Sequence, residues 1–243
     1  MGARVDSIIL HYTGLREDAL DAWTADPFGE ALRWMLNPVS QVSSHYIIGA
    51  GGRIVQLVPE AMRAWHAGRG SWKDCCDLNS CSIGIEIANT GHAGGLPPYP
   101  QPQIDAVIAL CKAIIARYAI MPERILAHSD IAPDRKADPG EHFPWEALFY
   151  AGVGLWVKPG PLSDGPVLAQ GDENAEVLAL QQKLAQYGYG VAASGIYDLA
   201  AQTVVRAFQR HFRPGRVDGV ADPSTLATLD RLIAACAAAT AQA

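Results

Sequence analysis

Short apolar runs separated by polar breaks dominate the first two thirds of the chain. Residues 5–11 contain Ile8-Ile9-Leu10, residues 45–49 contain Tyr46-Ile47-Ile48, and residues 83–88 contain Ile83, Ile85 and Ile87. Residues 53–58 and a shorter run at 124–128 repeat the pattern. Runs this short, rich in β-branched residues and bounded by turn formers, predict buried strands. One longer segment has a different period. Across 102–118, Ile104, Val107, Ile108, Cys111, Ile114 and Ile115 fall on one helical stripe. Strands interspersed with helical segments predict an α/β fold, a mixed sheet with helices packed on its faces.

The period changes after a break. Lys158-Pro159-Gly160-Pro161-Leu162-Ser163-Asp164-Gly165-Pro166 can continue neither a helix nor a central strand. Beyond it the pattern is helical only. Residues 174–187 carry Val177, Leu178, Leu180 and Leu184; residues 198–211 carry Val204, Val205, Ala207 and Phe208; residues 223–236 carry Leu226, Leu229, Leu232 and Ile233. Three such helices predict a small bundle. The expected organisation is a first domain over 1–158, a Pro/Gly-rich linker over 159–171 and a three-helix domain over 172–243.

Composition narrows the class. Apolar residues make up 49% of the 243 and charged residues 18%, which supports a well-buried core. A formal charge of −6 argues against a nucleic-acid partner, which calls for a basic face. No apolar run reaches the ~18 residues of a membrane span. No hydrophobic leader is read in Met1-Gly2-Ala3-Arg4, which leaves both the cytoplasm and, with a signal removed, the bacterial periplasm or envelope open. A monomer is expected.

The candidate chemistry gathers in three places. The run from His128 to Gly140 holds an imidazole, the ammonium of Lys136 and the carboxylate of Asp138, and Pro139-Gly140 stops the chain behind them. Imidazole and carboxylate both ligate zinc, and a nearby ammonium could stabilise a developing negative charge. His11 ends the first apolar run and is followed by Thr13-Gly14, so it sits at the carboxyl end of a buried strand, where α/β proteins place functional groups. Glu86 lies between Ile85 and Ile87, so its side chain leaves the face opposite theirs. A carboxylate on such a strand is costly to bury without a partner, and desolvation suits it to act as a base near neutral pH.

Five segments, in order, resemble the type-2 zinc N-acetylmuramoyl-L-alanine amidases, which share a fold with the peptidoglycan recognition proteins. They are Ile9-Leu10-His11-Tyr12-Thr13, Val42-Ser43-Ser44-His45-Tyr46-Ile47-Ile48, Arg63-Ala64-Trp65-His66-Ala67-Gly68, Ser82-Ile83-Gly84-Ile85-Glu86 and His128 to Gly140. The likeness is greatest to the AmiD-like branch, which also carries a small C-terminal domain. It implies one zinc per chain held by His11, His128 and Asp138, catalysis by Glu86 with help from Lys136, and His66 and His45 as candidate substrate contacts. The implied reaction is hydrolysis of the amide between N-acetylmuramic acid, intact or in its 1,6-anhydro form, and L-alanine of the stem peptide. The implied partner is peptidoglycan or an anhydromuropeptide. A non-catalytic muropeptide-binding protein using the same groove is the alternative from another class; the carboxylate ligand at Asp138 disfavours it.

Two further expectations concern the remaining residues. Leu180-Gln181-Gln182-Lys183-Leu184 and Ala207-Phe208-Gln209-Arg210-His211-Phe212 resemble a three-helix peptidoglycan-binding domain. Cys75, Cys76 and Cys81 are read as free thiols, with a disulfide from Cys81 to Cys75 or Cys76 open in an oxidising compartment, and His92, His142 and His211 as ordinary surface or packing residues.

Overall fold

The computed structural model of the chain describes residues 4–14, 26–73 and 75–241. Residues 1–3, most of the stretch searched for a leader, lie outside the described residues. The chain forms two compact units. The first comprises residues 1–69, 77–128 and 138–155; the second comprises 70–76, 129–137 and 156–243.

Among the described residues the first unit is built on five strands: β1 (Ser7–Tyr12), β2 (Tyr46–Ile48), β3 (Ile54–Gln56), β4 (Ser82–Ile87) and β5 (Ile125–Ala127). Their order is β3-β2-β4-β1-β5. Only β3 runs antiparallel, against β2. The two central strands explain the unbroken apolar runs. Parallel strands covered on both faces need apolar side chains on both, and Ile8, Ile9, Leu10, Ile83, Ile85 and Ile87 are all fully buried. Edge strand β3 is partly exposed throughout.

Helices join these strands: α1 (Pro27–Leu36), α2 (Leu78–Cys81), α3 (Gln101–Tyr118), α4 (His128–Ile131) and α5 (Trp145–Tyr150). The α3 stripe buries Ile104, Val107, Leu110, Cys111 and Ile114. Buried Gln103 also belongs to it: its Nε2 donates to the carbonyls of Ile48 (3.1 Å) and Ala88 (2.9 Å), at the ends of β2 and β4. The Ile48 carbonyl also accepts from the Ala88 amide (2.8 Å), so Gln103 adds a second bond there; the Ala88 carbonyl would cost about 1–3 kcal/mol if buried bare. At the start of α1, Asp26 accepts from the Gly29 amide and Pro27 sits at the first helical position.

The second unit contains α6 (Ala175–Tyr187), α7 (Leu199–Phe212) and α8 (Pro223–Ala241). It carries an internal repeat. Gln181 of α6 accepts from the Gly195 amide (2.8 Å) and donates to the Ile196 carbonyl (2.8 Å). Gln209 of α7 does the same with Gly219 (2.8 Å) and Val220 (2.9 Å). Each loop then ends in an aspartate that caps the next helix: Asp198 accepts from Ala201 and Asp222 from Thr225. The Pro/Gly-rich stretch is fastened to α8: Ser224 Oγ donates to Gly160, and the Arg231 guanidinium donates to the carbonyls of Lys158 and Pro159.

This unit also departs from the sequence reading at His211. It is not an ordinary packing residue: it is 2% exposed and its Nδ1 lies 2.7 Å from Asp130 Oδ2. Asp130 also accepts from the Tyr189 hydroxyl at 2.7 Å. Burial, and then the Asp130 carboxylate, push the Tyr189 phenol well above its usual range. Cys75, Cys76 and Cys81 are free thiols. Among the described residues no helix is long and apolar enough to cross a membrane.

Candidate metal centre

The register of the central strands assembles one face. Ser7 pairs with Ser82, Ile9 with Gly84 and His11 with Glu86. Register partners in parallel strands point the same way, so His11 and Glu86 stand side by side at the carboxyl ends of β1 and β4. Ile47 of β2 flanks Glu86 on its other side. On β5, Leu126 pairs with Ile9. Two residues on, at the start of α4, His128 follows where the strand ends.

Three side-chain atoms meet there. His11 Nδ1 lies 2.8 Å from His128 Nδ1 and 3.1 Å from Asp138 Oδ2, and His128 Nδ1 lies 3.0 Å from the same oxygen. All three residues are buried, at 2%, 3% and 6% exposure. They are a group of the kind that could hold a metal ion. Burial alone would raise the Asp138 carboxyl, but the imidazoles of His128 and His11 outweigh it and hold the group well below the usual carboxylate range. Tyr99 steadies the chain behind Asp138, donating from its hydroxyl to the Pro139 carbonyl at 2.7 Å.

The donor set fits a divalent cation. His128 Nε2 faces the Ala67 carbonyl at 3.0 Å, which can only accept, so Nε2 carries the proton and Nδ1 presents its lone pair to the cluster. A lone pair and a carboxylate oxygen at 3.0 Å repel unless positive charge lies between them. Tetrahedral zinc with ~2.0 Å bonds places its ligand atoms ~3.3 Å apart, so the three need separate only slightly to accept it.

The other sequence candidates fall in different surroundings. Glu86 is half-buried. Lys136 is half-buried, its amide donating to the Ala132 carbonyl; its candidacy rests on its place two residues before Asp138. The structure commits His45 to the framework. Its Nδ1 accepts from the Gly84 amide and its Nε2 donates to the Met62 carbonyl, both at 3.0 Å, so neither nitrogen is left for a substrate. Burial lowers its pKa, against the Met62 carbonyl, which raises it. His66 is 9% exposed, with its ring nitrogens facing His11 and Ser82. Burial, then the neighbouring imidazoles, put its pKa well below the ordinary histidine value.

Two residues near the site were not singled out from the sequence. Asn79 Oδ1 accepts from the amides of His66 (3.0 Å) and Ala67 (2.8 Å), fixing the turn that carries His66. Gly84 makes room for that ring: a Cβ there would lie 2.4 Å from His66 Cγ. The alternation Ser82-Ile83-Gly84-Ile85-Glu86 was the available signal, since its small members mark the face something else must cover.

The family model for N-acetylmuramoyl-L-alanine amidase matches residues 1–141. The chain belongs to the N-acetylmuramoyl-L-alanine amidase family. A peptidoglycan binding domain model matches residues 173–229 of the amidase. N-acetylmuramoyl-L-alanine amidase AmiD of Escherichia coli is 38% identical over 242 residues, 95% of this amidase and 83% of AmiD. The solved complex of that AmiD with the substrate anhydro-N-acetylmuramic acid-L-Ala-D-γ-Glu-L-Lys superposes with a TM-score of 0.76 at 36% identity, covering 96% of this amidase and 90% of that chain. The structure of AmpDh3 from Pseudomonas aeruginosa in complex with anhydromuramic pentapeptide matches with a TM-score of 0.74 at 32% identity, covering 96% and 92% of the two chains. The α/β fold and the amidase activity expected from the sequence are thus those of the family.

Proposed function

We propose that this amidase is a zinc hydrolase that cleaves the amide between N-acetylmuramic acid and L-alanine of the stem peptide, on anhydromuropeptides as well as on muropeptides with intact sugar. The observation that carries this reading is the meeting of His11 Nδ1, His128 Nδ1 and Asp138 Oδ2 within 2.8–3.1 Å, with Glu86 as the strand partner of His11. The ligands bound by AmiD and AmpDh3, an anhydromuramyl tripeptide and an anhydromuramic pentapeptide, support the substrate class.

Zinc held by His11, His128 and Asp138 would activate water for attack near neutral pH and polarise the amide carbonyl. The chain supplies the rest. The Glu86 carboxylate takes the proton of the attacking water and returns it to the alanine nitrogen as the C–N bond breaks. The Lys136 ammonium offsets negative charge developing on the carbonyl oxygen. Asp138, as the one anionic ligand, leaves the centre with net positive charge for the same oxygen.

The test is elemental analysis of the purified protein with His128→Ala beside it. One zinc per wild-type chain and a large loss in the variant are expected. A variant that keeps its zinc would remove His128 from the ligand set.

A further inference from the structure

A metal-ligating imidazole must be held in one tautomer, and the group bonded to its other nitrogen decides which. For His128 that group is the Ala67 carbonyl. For His11 it is His66: His11 Nε2 lies 3.0 Å from His66 Nδ1, with the rings edge-on at 83°. An imidazole is ambiguous in this role, because Nδ1 can donate or accept. The ambiguity is removed further along the chain of hydrogen bonds.

Ser82 Oγ donates its only proton to the Leu78 carbonyl, within the turn that joins α2 to β4. Towards His66 Nε2, 3.3 Å away, that oxygen can therefore only accept, so Nε2 carries the proton. His66 is buried and both its partners are neutral groups, so an imidazolium would lie uncompensated in the interior. Neutral His66 with its proton on Nε2 presents an acceptor at Nδ1. His11 must then donate from Nε2, and its Nδ1 lone pair is turned toward His128 and Asp138. Gly84 is part of the arrangement, since any Cβ there would occupy the place of the His66 ring.

We propose that His66 is a positioning residue for the metal ligand His11, locking it in the Nε2–H tautomer through a relay anchored on Ser82 and the Leu78 carbonyl. This rests on the zinc reading above and adds to it a residue outside the proposed ligand set. His66 acts on metal affinity, not on proton transfer in the reaction.

Two measurements on the full chain test it. The first is zinc affinity at fixed pH, by chelator competition, for wild type, His66→Leu and His66→Asn. Asparagine can place an acceptor oxygen near the position of Nδ1; leucine cannot. His66→Leu should bind zinc about 10–100-fold more weakly, and His66→Asn should recover most of that loss. Equal affinity in His66→Leu and wild type would overturn the proposal. A wild type that binds no stoichiometric zinc would overturn the reading beneath it as well, which separates the two failures. The second measurement needs no variant, so it decides the matter even if His66→Leu does not fold. Long-range ¹H–¹⁵N spectra of the zinc-loaded protein, labelled at histidine, should show His66 and His11 protonated at Nε2. A proton on Nδ1 of His66 would refute the relay.

Discussion

In the proposed mechanism Glu86 carries the most demanding single role, because its carboxylate would exchange a proton twice in each turnover while staying beside the proposed ligand His11. The strand register meets the second requirement, pairing it with His11. Glu86→Gln keeps size and shape and removes the base. It is expected to retain zinc and fold while losing about 10²–10⁴-fold in rate on a soluble muropeptide. A rate within a few-fold of wild type would assign the proton transfer to another group. At this scale the sequence is legible where chemistry is local. His128 and Asp138 share one loop, and His11 marks a strand end. The relation of His66 to His11 was not legible, because it depends on a turn held by Asn79 laying one ring over Gly84, and no spacing encodes that.

At the scale of elements, the strands and long helices lie within a few residues of where the apolar pattern predicts them, because each except edge strand β3 buries at least one face and burial is what the pattern records. The short helices α2, α4 and α5 were not read, since four to six residues hold too little of a 3.6-residue period to distinguish a helix from a turn. Helix α1 was also not read; it buries no residue fully, although Asp26-Pro27 marks its start. Two predictions belong here. Gly84→Ala should destabilise the first unit by about 1–3 kcal/mol, since a Cβ forced against a buried ring is overpacking; thermal melts of the metal-free protein measure it, and an unchanged melting temperature would mean the ring has room to move. Gln209→Leu should lower the melting temperature of the second unit. It strips the buried Gly219 amide of its partner, at about 1–3 kcal/mol, and removes one of two bonds to the Val220 carbonyl, which also accepts from the Asp222 amide. Gln181→Leu should act in the same direction through Gly195 and Ile196. Variants as stable as wild type would reduce the repeat to a coincidence of sequence.

At the scale of the whole chain, the Pro/Gly-rich break suggests a cut near residue 158 that leaves a complete catalytic domain. The compact units do not follow that break. The second unit includes 70–76 and 129–137, which the sequence places inside the amidase segment. Its interior explains why. Trp72 is fully buried, its ring centroid 5.3 Å from Tyr187 and 5.0 Å from Tyr189. The Asp130 carboxylate is 1% exposed and bonded to Tyr189 and His211. A protein ending at residue 158 would lose all of these partners, exposing a tryptophan and stripping the buried carboxylate of two bonds. The segment so affected carries Lys136 and runs directly between the proposed ligands His128 and Asp138. Residues 1–158 alone are therefore expected to melt well below the full chain, to bind zinc more weakly and to lose most activity even on a small soluble muropeptide. His211→Leu in the full chain should show a milder form of the same loss, because a single partner removed from a buried charge costs about 3–5 kcal/mol. The competing expectation is a tether: the helices would only raise the local concentration of enzyme at the polymer. Then the truncated protein would stay folded and keep its rate on the soluble substrate, and only its binding to sacculi would fall. Measuring the melting temperature, zinc content, soluble rate and sacculus binding of the truncated protein together separates the two. Full soluble activity at an unchanged melting temperature would sink the structural role.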